Sequence, residues 1–210
     1  MGMVPKLVCF DMDGVIFKEN YFWNKVHEAY GTLELGLQLN KKYLYTDYHA
    51  LVHEVMKLWK GKTVQPIFDI VANSEYNPGV RETIKEIKQR GVMTAIISNG
   101  SWLLAKRAKQ ELGISHIFAN EIHHHDGLLD GTFTATVDMN GKGVIVARLC
   151  EALGITPADV AAVGDDDNDI VMMELVGKSI AFNTRSEKLK NSCDIVVEGN
   201  DLRKILPYLF

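Results

Sequence analysis

The sequence predicts an α/β fold: an open, mostly parallel sheet flanked by helices, with a helical insertion and a small β-hairpin. Short apolar runs end in polar or glycine-rich turns, helical patterns separate these runs, and one helical segment interrupts the alternation after the first run. Runs of four or five apolar residues are typical of strands buried on both faces of a parallel sheet. Strands that alternate with helices indicate right-handed crossovers within one sheet.

Size and charge limit the classes of protein that the chain can represent. It has 210 residues, 24% of them charged and 47% hydrophobic, and a formal net charge of −4. This length suits one domain, or one domain with a sizeable insertion. The mild acidity argues against a nucleic-acid-binding protein, which normally carries a basic patch. No stretch approaches the roughly 18 apolar residues that span a membrane.

The N-terminus and the cysteines point to an intracellular protein. The apolar run before Asp11 is too short for the core of a signal peptide. Cys9, Cys150 and Cys193 lie far apart in apolar contexts, so we expect small buried side chains rather than disulfides or metal ligands. We therefore expect a soluble, cytoplasmic protein with no membrane partner.

Five strands are predicted along the chain, and they cover residues 7–10, 93–97, 160–163, 179–182 and 194–197. Predicted helices follow Gly79, Ser101 and Lys142, and each has a glycine after its last turn, at positions 91, 113 and 154. Ligands of such sheets bind beyond the carboxyl ends of the strands. The polar residues that follow the strands are therefore the candidates for function.

Residues 15–77 contain no convincing strand and predict a helical cap. The predicted domains are an α/β core of residues 1–14 and 78–210 and a cap of residues 15–77, placed over the strand ends. This segment holds more than half of the aromatic residues and no arginine. We favour the aromatic side chains as the core of the cap over a purely substrate-lining role.

Residues 121–137 predict a β-hairpin. Asp126-Gly127 and Asp130-Gly131 are turn signals flanked by alternating residues. Three consecutive histidines, residues 123–125, lie on its first strand. Consecutive residues of a strand point to opposite faces, so at most two could share a ligand. We favour a solvated hairpin over a metal site.

Two acidic clusters follow predicted strands. Asp11 and Asp13 lie in Asp-Met-Asp-Gly after the first strand, and Gly164 begins a run with four aspartates in residues 165–169. Four such carboxylates repel one another unless a cation is bound or some stay exposed. Carboxylate oxygens are ligands that Mg²⁺ prefers. Together the clusters predict a divalent-metal site at the carboxyl edge of the sheet.

Two further motifs are ambiguous when taken singly. Ser98-Asn99-Gly100 ends the second strand just ahead of a helix, where a hydroxyl and backbone N–H groups form either a phosphate cradle or an N-cap turn. Lys142 stands between two glycines at a helix start. The helix dipole disfavours a lysine there, so it is either solvated or held by an anion.

The order of these four motifs resembles that of the haloacid dehalogenase superfamily of phosphohydrolases. The helical insertion between the first two motifs, and the stretch from Val163 through Asn183 to Arg203, resemble the phosphoserine phosphatase branch. The resemblance implies a Rossmann-like open parallel sheet, a Mg²⁺ cofactor and a small phosphomonoester substrate.

The resemblance also implies a role for each matching residue. Asp11 would be the nucleophile that forms an aspartyl-phosphate, and Asp13 the acid and base. Mg²⁺ would be held by Asp11, the backbone carbonyl of Asp13, Asp165 and Asp169. Phosphoryl oxygens would be held by Ser98, the amides of Asn99 and Gly100, and Lys142. Residues beside the substrate or supporting the site would be Glu19, Asn168 and Asn183.

The cap departs from the phosphoserine pattern. Val15 stands where those enzymes usually carry a threonine, and residues 15–77 lack the arginine that would bind a serine carboxylate. Lys57 could supply the charge but not the planar fork of an arginine. We therefore expect a substrate that is larger or less acidic than phosphoserine. A phosphomutase or phosphotransferase, and a signalling module that stores phospho-aspartate, remain alternatives.

Overall fold

The computed structural model describes residues 4–18 and 22–210. Its strands are β1 (Leu7–Phe10), β2 (Met93–Ser101), β3 (His116–His125), β4 (Leu128–Thr134), β5 (Val160–Gly164), β6 (Lys178–Phe182) and β7 (Ile195–Val197). They form one sheet in the order β4-β3-β2-β1-β5-β6-β7. All neighbouring strands are parallel except β3 and β4. The predicted α/β class is confirmed.

Helices connect these strands. The α-helices of the described residues are α1 (Phe22–Ala29), α2 (Leu33–Tyr43), α3 (Tyr48–Trp59), α4 (Gln65–Asn73), α5 (Val80–Gln89), α6 (Trp102–Leu112), α7 (Lys142–Leu153), α8 (Ile170–Met173), α9 (Glu187–Ser192) and α10 (Leu206–Leu209). Short 3₁₀ helices cover Pro157–Asp159, Asp167–Asp169 and Leu202–Ile205.

The central strands are buried on both faces, as their apolar runs predict. In β1, Val8 and Phe10 belong to a buried cluster with α5, α6 and the helices that follow β1. Leu7 and Cys9 belong to a second cluster, with α7, on the opposite face. Because successive strand residues alternate between faces, a continuous apolar run satisfies both layers of helices.

Four helices, α1 to α4, lie between β1 and α5, where the cap is predicted. Their buried side chains, Trp59 and Met56 among them, join the cluster on one face of the sheet. Asn77, at the end of this segment, donates side-chain hydrogen bonds to the carbonyls of Gly14 (2.8 Å) and Val15 (2.9 Å) at its beginning. The division into a core of residues 1–14 and 78–210 and a cap of residues 15–77 stays a prediction.

The hairpin is present, but β2 and β3 are longer than the sequence predicts. β3 begins at His116 rather than near residue 121, and its first half pairs in parallel with β2, for example Ile96 with Ile117. β2 does not end at residue 97: a change of register follows Ile97, and pairing resumes between Ser101 and Asn120. The apolar run at residues 117–119 is too short to predict a strand by itself, and its pairing with β2 is not visible in the sequence.

The first two histidines of the hairpin contact side chains of the protein. His123 Nε2 lies 2.8 Å from the hydroxyl of Thr134, and the ring of His124 packs edge-on against Phe68. Within residues 4–18 and 22–210, the one group with metal-ligand spacing consists of aspartates. The solvated hairpin is the better interpretation.

Candidate active site

Three buried aspartates converge at the carboxyl ends of β1 and β5. Asp11 follows β1, and Asp165 and Asp169 follow β5. The pairing of Phe10 with Val163 aligns the two strand ends, and the N–H of Asp11 donates to the Val163 carbonyl over 2.9 Å. One carboxylate oxygen of each aspartate lies within 4.8 Å of the others. The structure thus brings the two acidic clusters of the sequence together.

Lys142 inserts into this acidic group from the first turn of α7. Its ammonium donates to Asp11 Oδ1 over 2.7 Å and to Asp169 Oδ1 over 2.6 Å, and its side chain is 0% exposed. Burial alone would lower the pKa of Lys142, but the two carboxylates raise it above its ordinary value. Of the two sequence alternatives, the lysine is therefore held by anions and not solvated.

The loop after β5 is shaped by the carboxylate of Asp169. Its Oδ2 accepts hydrogen bonds from the backbone N–H groups of Asp165 (2.9 Å) and Asp166 (3.2 Å). A Cβ at Gly164 would lie 2.4 Å from Asp169 Cγ, so only glycine fits there. Asp167 points away, where it accepts a hydrogen bond from the hydroxyl of Ser186. Of the four acids of the loop, Asp165 and Asp169 therefore belong to the buried group, whereas Asp166 and Asp167 point away from it.

Asp13 lies beside the acidic group and faces the C-terminal end of β2. A Cβ at Gly100 would lie 2.5 Å from Asp13 Oδ2 and 3.0 Å from Ser98 Oγ, so this glycine keeps a gap between the two side chains. Burial, together with the charge of Asp11, raises the pKa of Asp13 to about 8. Burial and the charge of Asp169 raise the pKa of Asp11 to about 6, against the opposing effect of Lys142. Burial therefore favours the protonated form of Asp13.

The C-terminal end of β2 places Ser98 and Gly100 next to Asp13. Ser98 is 2% exposed, and its Oγ accepts a hydrogen bond from the Gly100 N–H over 2.9 Å. Ser98 is not the N-cap, since α6 begins at Trp102 after Ser101. The Ser98 hydroxyl thus lies at the carboxyl end of β2, close to Asp13.

Asn99 connects this end of β2 to the rest of the site through its side chain. Its Nδ2 donates to the carbonyls of Val137 (3.0 Å) and Asp138 (2.6 Å), and its Oδ1 accepts from Asn168 Nδ2 over 2.8 Å. Asn168 therefore supports Asn99 from the acidic loop. The sequence placed both residues near the site but did not indicate this contact.

Asn120 is a structural member of the site that the sequence reasoning missed. It is 0% exposed, donates to the hydroxyl of Tyr48 (2.9 Å) and to the carbonyls of Asn99 and Val137, and accepts from the Val137 N–H. The sequence does contain an indication of this role, since Asn120 is an amide directly after the apolar residues of β3. A polar side chain buried at such a position must be hydrogen-bonded.

The assignments of Asn183 and Glu19 stay predictions. Asn183 follows β6 with a φ of +47°, is exposed, and its N–H donates to Val197. No hydrogen bond joins its side chain to the aspartates in the part of the chain that the structure describes. Glu19 lies outside the described residues.

A cavity of about 270 Å³ opens beside Asp13 and Asn99. Aromatic side chains from α1 and α3 line it, among them Trp23, Tyr48 and Trp59. Trp59 is also 1% exposed and belongs to the main buried cluster. The aromatic residues therefore do both: their side chains belong to the core of the helical segment, and part of their surface lines the cavity.

The acidic group fits a divalent metal ion. Among the described residues, the single positive charge of Lys142 pairs with two buried carboxylates, those of Asp11 and Asp169, so negative charge remains in excess. Asp13 Oδ1 is also buried without a hydrogen-bond partner among the described residues. Buried carboxylates require neutralisation, and hard cations such as Mg²⁺ select oxygen ligands.

Comparison with known proteins agrees with this geometry. The sequence model of the family described as haloacid dehalogenase-like hydrolase matches residues 5–177. The chain belongs to this hydrolase family. The resemblance of the four motifs is thereby confirmed, and the match does not favour a phosphotransferase or a signalling module.

Relatives of this hydrolase include phosphoserine phosphatases. One from Methanocaldococcus jannaschii is 31% identical over 212 residues, which cover 100% of both chains. A phosphoserine phosphatase solved as a phospho-aspartyl intermediate analogue has 30% identity and a TM-score of 0.85, covering 98% of this chain and 99% of that one. A substrate-bound phosphoserine phosphatase has 29% identity, the same TM-score and the same coverage.

The hydrolase has no helix that is both long and apolar enough to cross a membrane among its described residues.

Proposed function

We propose that this hydrolase removes phosphate from a small-molecule phosphomonoester, with Mg²⁺ as cofactor and Asp11 as the phosphorylated residue. The observation that carries the proposal is the contact of Lys142 with Asp11 and Asp169 at the edge of the sheet, next to Asp13 and the cavity. An attacking carboxylate and an anionic phosphoryl group repel each other, and buried positive charge offsets that repulsion.

The two aspartates of the first motif divide the chemistry. A carboxylate oxygen of Asp11 attacks phosphorus, and the bond from phosphorus to the ester oxygen breaks while the acid Asp13 gives its proton to the leaving alkoxide. Water then attacks the phosphorus of the aspartyl-phosphate and gives a proton to the Asp13 carboxylate, while the bond from phosphorus to the Asp11 oxygen breaks. Inorganic phosphate leaves, and both aspartates return to their starting states.

The transferred phosphoryl group would be held from the C-terminal end of β2 and from α7. Ser98 Oγ lies beside the position that Gly100 keeps open next to Asp13. The backbone amides of Asn99 and Gly100 would bind further phosphoryl oxygens, the Gly100 N–H after it gives up its hydrogen bond to Ser98 Oγ. Lys142 fixes the orientation of Asp11 and supplies positive charge. Asn168 supports Asn99, while Glu19 and Asn183 remain candidates for contact with the rest of the substrate.

Mg²⁺ would be held by Asp11, the backbone carbonyl of Asp13, Asp165 and Asp169, and would supply Lewis-acid charge neutralisation at the phosphoryl oxygens. The three side chains are already within 4.8 Å of one another and buried, which supports their assignment as ligands.

A small-molecule substrate and a cytoplasmic location complete the proposal. The cavity volume of about 270 Å³ suits a metabolite better than a macromolecule. Cys9, Cys150 and Cys193 are free thiols, which is typical of a reducing compartment.

Release of inorganic phosphate from p-nitrophenyl phosphate, with and without Mg²⁺, tests the function. We expect activity that requires Mg²⁺ and that falls at least about a thousandfold in Asp11→Asn, because the nucleophile is lost. Asp167→Asn is the matched control, since this acid of the metal loop points away from the site. An Asp11→Asn protein that keeps most of the activity would exclude Asp11 as the nucleophile.

A further inference from the structure

The cavity that opens beside Asp13 is where the alcohol portion of a substrate must lie. Asp13 and Asn99 form its floor, and helices α1, α2 and α3 and the β3–β4 hairpin form its walls. If Asp13 protonates the leaving oxygen, the group attached to that oxygen extends into this space. The chemistry of the walls therefore selects the substrate.

These walls are predominantly apolar. Trp23, Leu51, Val55, Met56 and Phe133 present hydrocarbon or aromatic surface to the cavity. Such surface is favourable for an apolar group that leaves water, in proportion to the area buried.

Among the described residues, the lining of the cavity contains no lysine and no arginine, and its one imidazole is that of His27. The one carboxylate of this lining within residues 4–18 and 22–210 is that of Asp13. The lysines of the helical segment lie elsewhere: Lys57 donates to Glu54 over 2.6 Å, and Lys25 lines a separate small cleft with Glu75. A substrate carboxylate would find no cation here.

Several polar groups of the cavity wall are already bonded within the protein. His27 Nδ1 lies 2.8 Å from the Thr32 hydroxyl, which also accepts from Trp59 Nε1 over 3.1 Å. Trp23 Nε1 donates to the Asn99 carbonyl over 3.2 Å. The aromatic side chains thus offer their faces to a ligand, while their polar atoms are occupied.

From this lining we propose that the substrate is a phosphomonoester of an uncharged, largely apolar alcohol. The inference rests on the proposed function. A charged amino acid such as phosphoserine would bury its carboxylate without an ion-pair partner, which is costly, whereas an aromatic or alkyl group fits the walls.

Three esters of alkyl alcohols test the selectivity without a large difference in leaving-group reactivity. Benzyl phosphate is the apolar probe, glycerol 3-phosphate is uncharged but polar in its alcohol, and O-phosphoserine carries charges of both signs. We expect kcat/KM for benzyl phosphate to exceed that for phosphoserine at least about tenfold, with glycerol phosphate between them. A kcat/KM for phosphoserine equal to or above that for benzyl phosphate would overturn the inference.

The outcomes distinguish an error in the substrate class from an error in the proposed function. If phosphoserine is preferred while p-nitrophenyl phosphate is also hydrolysed, the proposed function stands and the substrate class is wrong. If none of the esters releases phosphate in the presence of Mg²⁺, both proposals fail.

A variant that adds a cation to the wall tests the location of the selectivity. Val52 is a half-buried residue of α3 that lines the cavity. Val52→Arg is expected to lower kcat/KM for benzyl phosphate and to raise it for phosphoserine, so that their ratio shifts at least about fivefold. Val71→Arg, a half-buried position of α4 outside the cavity, is the matched control. An unchanged ratio in Val52→Arg would show that the alcohol does not lie in this cavity.

Discussion

The ammonium of Lys142 lies 2.7 Å from Asp11 Oδ1, although 131 residues separate the two in the chain. The same ammonium contacts Asp169 over 2.6 Å, so one buried cation joins the first strand to the loop after β5. A buried charge is stable only when it is paired and hydrogen-bonded. The contact therefore makes the geometry of Asp11 depend on the start of α7.

Lys142→Met is expected to lower kcat/KM at least about a hundredfold, since it removes preorganised positive charge from the reacting group. It should also reduce the free energy of unfolding in metal-free buffer by about 3–5 kcal/mol, because two buried carboxylates lose their cation. Denaturant titration and phosphate release measure the two effects. The control is Lys6→Met, which removes a largely exposed partner of Asp159. Stability and activity equal to those of that control would show that the buried contact is unimportant.

Asp165→Asn is expected to increase the Mg²⁺ concentration needed for half-maximal activity at least about tenfold, because one of three charged ligands is neutralised. Asp167→Asn changes the same charge on the same loop but at an outward position, and should stay close to wild type. Mg²⁺ titration of activity, and of the melting temperature, measures the difference. Equal Mg²⁺ requirements in the two variants would argue against Asp165 as a ligand.

His27 should make the stability of the protein sensitive to acid. Burial lowers its pKa, and a Cβ at Gly36 would lie 2.6 Å from the imidazole, so the ring is tightly enclosed. The unfolded chain therefore binds the proton more readily than the folded one. The contribution of neutral His27 to the free energy of unfolding is therefore present above the ordinary histidine pKa of about 6.5 and is lost as the pH falls below it.

Urea titrations of wild type and His27→Gln between pH 5 and pH 8 test this expectation. On acidification wild type should lose stability relative to the variant, by at most about 1.4 kcal/mol per pH unit for one proton. Other titrating groups are common to both proteins and cancel in the difference. The exposed His53→Gln serves as the control. Parallel curves for wild type and His27→Gln would contradict the burial argument.

Local patterns in the sequence were sufficient to predict the central strands of the sheet and the position of the acidic residues at their ends. β1 has the predicted bounds, and β5 and β6 differ by one residue at one end, because runs such as Val160 to Val163 must be buried on both faces. Asp11, Asp165 and Asp169 follow strands of one parallel sheet, so their convergence follows from the fold class.

Contacts between distant segments were not available from those patterns. The first half of β3 is recognisable only through its pairing with β2. Nothing local shows that Lys142 reaches Asp11 or that Asn120 joins Tyr48 to Asn99. Such contacts depend on how helices pack on the sheet, and tertiary packing decides them rather than local preference.

The central claim is that Asp11 carries the phosphoryl group during turnover. Brief reaction with a ³²P-labelled phosphomonoester and Mg²⁺, followed by acid quench, borohydride reduction and peptide mass spectrometry, tests it most directly. The account predicts label in the quenched protein and homoserine at position 11 after reduction, with neither in Asp11→Ala. Continued turnover with no labelled protein, or with the label on another residue, would contradict it.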